Sequence, residues 1–496
     1  MATSSLQRAS VFAVKEESTS GDLILPTAGT EFVPLRPGFT MAPTLEELSS
    51  DEMVNDIGMT KSYIGLETVE GTHPAYFKSK GSAGFPNWEI ILRSSLGAKN
   101  QRTSTDTVVV GSTVTAIKVA DASLYAVGQA VMINGEIRNI TALNTTTDIL
   151  TMNFAFTTVN TGDTIQKCYC VLPAASGHPS YSAVVYRASG AAIEAAAGCL
   201  SKQVTMTMEA GKQAEINFNF EGTKYFYNPI EITATNKYLD IEDFATNVVA
   251  ATLTEKIYRS PDELAAEITT KAAAATGEAV TCTFSSSTGK FTIANGAGTF
   301  KLLWNTGANT ANSVGTTLGF LVAADDTGAA TYTSDSAITY PVPYTPSYDS
   351  VDNVIIKGAE LFIGSSTDNF CRKTDTVTVT IDTPVTNASS ICSETGVLEK
   401  LILSREVTLS CSILLEKHEV ALFTKFINSS TTQAMVNFGP TSNNLYTVGK
   451  SINVCIGNFV ITGHKVSGDE ILRIDIEGKG FISSTTDLKD IYVNFV

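Results

Sequence analysis

The chain has 496 residues, with 34 Lys+Arg against 50 Asp+Glu, a net charge of −16 and 43% apolar residues. That apolar share supplies a core and excludes global disorder, and at about 100–200 residues per domain the length predicts about three or four domains. An acidic chain without a basic block is not built to grip nucleic acid through phosphates, although it can let one pass.

From the N-terminus, Val11-Phe12-Ala13-Val14 is the only apolar run before Lys15-Glu16-Glu17. It is shorter than the about 7–15 residues of a secretory h-region, and no stretch approaches the about 18 of a membrane span. Neither a leader nor a membrane partner is expected. Residues 1–50, with Pro26, Pro34, Pro37 and Pro43 and no clear period, read as an extended arm. A β-rich section follows over 51–101 and 174–237. It holds a helix from Pro86 to Leu96 that stops at Gly97. Val204, Met206 and Met208, and then Ile216, Phe218 and Phe220, alternate with polar residues, the period of a strand with one wet face.

Residues 102–173 interrupt that section as a Thr- and Val-rich segment with turn pairs Asn134-Gly135 and Gly162-Asp163. A second insert over 238–336 opens a helix at Ser260-Pro261-Asp262-Glu263, a capping-box spacing with Pro just inside. Its turns include Ser287-Thr288-Gly289-Lys290 and Asn295-Gly296-Ala297-Gly298. After the link Tyr340–Pro346, the section 337–496 alternates at Val377, Val379, Ile381, then Val407, Leu409, Cys411, Ile413, then Leu472, Ile474, Ile476. Its helix is expected within Leu415–Ile427. The sum is a mainly β fold, an antiparallel barrel or sandwich core with a few short helices and two inserted β-rich modules. The helix and polar-faced strands of the last section echo the first, so the core is read as a possible tandem.

Catalytic signatures fail one by one. His418-Glu419 begins a zinc-protease helix, but Leu422 stands where the second His is needed. Cys168-Tyr169-Cys170 has no second pair nearby for zinc. His73 and His178 precede prolines in expected turns, and Gly296 and Gly298 lack a phosphate-loop Lys. No nucleophile elbow occurs and no carboxylate pair stands out. The expectation is no enzyme: no catalytic residue, no cofactor and no metal. The scattered cysteines read as buried free thiols made in a reducing cytoplasm.

Val11–Gly21 with Pro26-Thr27, Gly81-Ser82-Ala83-Gly84-Phe85-Pro86 running to Leu96-Gly97, and Ala197-Gly198-Cys199-Leu200 before Phe218-Asn219-Phe220-Glu221-Gly222 resemble the tail tube (major tail) proteins of long-tailed bacteriophages. The segment from Gly289 to Gly328 looks like a decorating module of phage tail proteins, and that from Val119 to Asp163 like a small β-barrel insert from the same sources. The resemblance implies stacked rings whose inner strands join into one barrel around a channel for viral DNA. It implies contacts with other tail proteins at the tube ends and a place in the virion tail. The polar strand faces nominated for an acidic, hydroxyl-rich lumen are Thr205, Thr207, Glu215, Asn217, Asn219, Glu406, Thr408 and Ser410. Two tube-like halves favour trimeric, pseudo-hexameric rings over hexameric ones. The alternative is a β-rich tail-tip adhesin, with a carbohydrate-active enzyme last.

Overall fold

A computed structural model describes residues 10–49, 61–81, 84–188, 190–365, 371–416, 419–468, 471–482 and 489–496. His418, and Ser82 and Ala83 of the glycine motif, lie outside the described residues. The chain is mainly β and divides into two compact units.

One unit takes the N-terminal residues to Phe12, 184–196 and 225–345. Helix Pro261–Thr276 begins where Ser260 Oγ accepts from the Glu263 amide at 3.3 Å and ends at left-handed Gly277. Its apolar stripe, Leu264, Ile268 and Ala272, is buried with Ile241 and Phe291 from the surrounding strands and with Trp304 from a turn. A four-stranded antiparallel sheet built on Tyr238–Glu242 and a three-stranded one built on Lys290–Asn295 supply those strands.

The other unit takes 13–183, 197–224 and 346–496. Eight of its strands matter most: β1 Thr40–Leu48, β2 Tyr63–Tyr76, β3 Ala192–Glu209 (in this unit from Ala197), β4 Glu215–Gly222, β5 Thr374–Asp382, β6 Glu406–Leu414, β7 Ile452–Ser467 and β8 Arg473–Gly480. They pair antiparallel in the spatial order β1-β2-β4-β3-β5-β6-β8-β7. The alternation of these segments explains their form: Val204, Ile216, Phe218, Phe220, Val379, Val407, Leu409 and Ile476 are all within 1% of full burial on one face.

That order contains a repeat. The first half runs β1-β2-β4-β3 and the second β5-β6-β8-β7, the same arrangement of first, second, fourth and third strand. Helix α1, Glu89–Leu96, follows β2, and helix Val420–Ile427 follows β6. A β-bulge skips Lys202 in β3 and Thr462 in β7. Gly222 and Gly480 close the equivalent strands β4 and β8; a Cβ on either would meet a backbone oxygen, at 2.9 and 2.8 Å. β1 is a finding against expectation, since it lies inside the segment read as an extended arm. Pro43 and the run Leu45-Glu46-Glu47 hide its alternation, as befits an edge strand exposed from Ala42 onward.

Residues 106–165 form a separate six-stranded sheet. One side closes on Val131, Ile140, Leu150 and Phe156. The other packs Ala130, Met132 and Ile137 against Cys168, Cys455, Tyr492 and Val496. Buried amides cross this seam. Asn139 and Asn453 exchange hydrogen bonds at 2.9 Å each, Asn453 also donates to Asn437 at 2.8 Å, and Asn494 donates to Asn453 at 2.9 Å. Gly128 lies so close to Tyr492 that a Cβ would sit 1.9 Å from its ring, at a φ of +86° that glycine adopts freely.

Candidate functional site

The nominated polar residues come from three strands apart in sequence, and the sheet brings all eight onto one face. Thr205 lies between Asn217 and Thr380, and Thr380 faces Thr408. Thr207 lies between Glu215 and Thr378, and Thr378 faces Ser410. Asn219 faces Gln203, whose other neighbour Asp382 pairs with Glu406. Glu215, Glu406 and Ser410 are exposed and the rest half-buried.

Hydrogen bonds run across the strands. Thr72 Oγ1 lies 3.1 Å from Asn219 Oδ1, Asn219 Nδ2 donates to Gln203 Oε1 at 3.0 Å, and Ser412 Oγ donates to Asp475 at 2.8 Å. Hydroxyls of Ser467 and Ser412 hold Asp475 below the usual carboxylate range. At one margin Lys202 bridges Glu221 at 2.9 Å and Glu70 at 3.3 Å, while Lys400 reaches Glu221 at 2.9 Å. Burial would raise the Glu221 carboxyl, but its lysine partners outweigh burial and hold it low.

The two carboxylates taken as the acidic mark of the face are both paired. Glu215 binds the Arg36 guanidinium at 2.7 Å, and Arg36 stacks 3.9 Å over the Tyr76 ring. Glu406 binds Lys479 from the adjacent strand. The face therefore carries local ion pairs, Glu209 with Lys212 at 2.7 Å among them, and further acidic residues such as Asp382 and Glu477. Gln203, Thr378, Thr380 and Lys479 share it although the nomination omitted them; the alternation of Val377, Val379 and Ile381 marks the strand of Thr378 and Thr380 but not its neighbours. Arg36 had no sequence signal, because it precedes β1 in an aperiodic segment.

The residues weighed for chemistry sit in packing roles. His73 is fully buried, stacked on Phe218 with ring centroids 6.1 Å apart, and burial with the nearby Arg36 charge pushes it down to about 3. His178 lies with Nδ1 3.2 Å from the Ser94 carbonyl. Cys168 and Cys170 are buried, and Cys371 and Cys392 are exposed. Among the described residues, no cluster of three or more His, Cys, Asp and Glu could hold a metal ion, and no helix is long and apolar enough to cross a membrane.

No protein-family model matches the sequence, and no curated protein matches it. Two solved structures show a partial likeness. A chain of the virion of a native gene transfer agent particle is 11% identical, over 25% of this chain and 92% of its own length, with a TM-score of 0.20. A chain of the tail of an empty gene transfer agent particle, with C6 symmetry, is 11% identical, over 26% of this chain and 96% of its own, also with a TM-score of 0.20.

Proposed function

We propose that this protein is a structural subunit of a bacteriophage tail, the repeating unit of its tube. The observation that carries the reading is a run of eight antiparallel strands within the 17-stranded sheet, with one face buried and the other a continuous field of Thr, Ser, Asn, Gln and charged residues. An ordinary sandwich also wets one sheet face, so the open edges, each a template for pairing with another chain, carry the distinction. The run ends at β1 and at the last half of β7, and no strand among the described residues pairs with either outer edge.

Closing the sheet removes those edges. Three copies of eight strands make 24, which at about 4.8 Å spacing and with tilt enclose a bore of about 40 Å before side chains. A DNA duplex of about 20 Å passes through that, judged from its groove depths. A wall of hydroxyls, amides and paired charges offers phosphates no continuous cationic track, so the genome slides during ejection. In this reading the rings are trimeric and pseudo-hexameric, stack head to tail, and meet other tail proteins at the tube ends. The segments 102–173 and 238–336 are read as modules inserted into the 51–101, 174–237 and 337–496 core.

Negative-stain images of the purified protein test it. Rings or hollow polymers with an open bore are expected, and a ring mass of three subunits. A discrete trimer without a bore would replace the tube with a tail-tip adhesin, and a six-subunit mass would replace the three-copy ring.

A further inference from the structure

The repeat holds a template for the contact between copies. Inside the chain the halves join where β3, the last strand of the first half, meets β5, the first strand of the second. The register is Gln203↔Asp382, Val204↔Ile381, Thr205↔Thr380, Met206↔Val379 and Thr207↔Thr378. The bulges at Lys202 and Thr462 set β7 against β3, so Gly463, Lys465 and Ser467 correspond to Gln203, Thr205 and Thr207. The pairings of β1 with β2 and of β5 with β6 set Thr40 against Thr378 in the same way.

We infer that the outer edge of β7 pairs antiparallel with β1 of a second copy in the register Gly463↔Thr44, Lys465↔Ala42 and Ser467↔Thr40. This rests on the tube reading and names its junction. The apolar face supports it. At the internal junction Val204, Met206, Val379 and Ile381 are fully buried. Of the corresponding residues at the open edges, Met41 is buried and His464 half-buried, while Val466 is 52% exposed and Pro43 is exposed, with Leu45 beside it at 48%. A second copy covers what the first half covers internally. Pro43 withholds one amide, so this ladder is at most one bond poorer than the internal one.

A second observation agrees. The hairpin Val385–Ser389/Val397–Ile402, between β5 and β6, lies over the first half of the same chain. The Glu67 amide donates to the Thr395 carbonyl at 3.2 Å, Lys400 holds Glu221 at 2.9 Å and Lys224 holds Glu394 at 2.9 Å. The described residues of the corresponding β1–β2 hairpin are open to solvent at their far end. It exposes Leu48, Tyr63 and Ile64, while Leu403 and Ile482 stand exposed at the equivalent place on the second half. The new junction brings these groups together.

Cysteine cross-linking of assembled protein tests the register. In a Cys371→Ser, Cys392→Ser background, Ala42→Cys with Lys465→Cys places two thiols directly opposite across the junction, within disulfide reach. Oxidation is expected to give covalent dimer and trimer on a denaturing gel. Thr205→Cys with Thr380→Cys, the internal equivalent, should cross-link within one chain. Images that show rings while Ala42→Cys/Lys465→Cys stays monomeric overturn the junction and leave the tube reading standing. Equal cross-linking by Pro43→Cys with Lys465→Cys, whose side chains fall on opposite faces, also overturns the register. A ladder running to six supports the junction and removes the three-copy count. Unaltered protein that forms neither ring nor tube removes the tube reading, and the junction with it. As a second variant, Val466→Glu is expected to keep the melting profile of the free chain, because the side chain is exposed there, and to abolish rings. Rings of undiminished yield would overturn the junction.

Discussion

Asn453→Ala is expected to be among the most damaging single substitutions in the larger unit, although it touches no nominated site. The side chain is fully buried and uses its whole hydrogen-bonding capacity: two donations, to Asn139 and Asn437, and two acceptances, from Asn139 and Asn494. After truncation the Asn139 and Asn494 amide nitrogens keep the Gly128 carbonyl, at 3.1 and 3.2 Å. Among the described hydrogen bonds, the side-chain oxygens of Asn139 and Asn437 lose the donor they have. Two buried acceptors left unpaired, at about 1–3 kcal/mol each, give a loss of about 3–4 kcal/mol. In a Trp304→Phe background, Trp88 fluorescence reports urea unfolding of the unit that holds the network, since the other Trp lies in the smaller one. The amides of residues 130–140 should also exchange faster with solvent, because Asn139 carries the seam between the six-stranded sheet and β7. A loss below about 1 kcal/mol, with unchanged exchange, would show that the amide network does not hold that seam.

Three further outcomes follow from named residues. His73 is held near 3 in the fold against 6.5 ordinarily, so its neutral form belongs to the folded state; stability is whole above 6.5 and falls as pH drops toward 3. At pH 5 the wild type should have lost about 2 kcal/mol relative to a His73→Leu variant, and parallel pH-stability curves for the two would contradict this. Glu215→Lys with Glu406→Lys frees Arg36 and Lys479 from their partners as well as adding two cations, so particles carrying it should assemble and eject DNA more slowly at low salt. Ejection at the normal rate and salt dependence would show that the wall charge is irrelevant. Deleting residues 229–339 behind a short Gly-Ser linker removes the four-, three- and two-stranded sheets and the long helix of the smaller unit, and should leave a soluble chain that forms rings. Insoluble protein with no recoverable ring would mean that the segment is part of the scaffold.

The sequence by itself determined the two faces of the strands that alternate and the ends of two helices. Alternation at Val204–Met208, Ile216–Phe220, Val377–Ile381 and Val407–Ile413 separates buried from wet residues, because a strand has only two sides. The Ser260 cap and the Gly97 stop set helix ends through local hydrogen bonding alone. Leu472 shows the limit, since it continues the alternation of Ile474 and Ile476 yet is 54% exposed just outside β8. Only the tertiary structure decided which strands are neighbours. Cross-strand partners such as Thr205 and Thr380 lie far apart in sequence, and their register is set by bulges and by packing on the opposite face. The same holds for Arg36 on Glu215, Lys479 on Glu406 and the asparagines of the seam. Each meets its partner through chain folding that no local period encodes. The repeat was faint in sequence because β1 lacks alternation. It became legible once the strand order was known, since order in a sheet survives substitutions that erase a pattern of side chains.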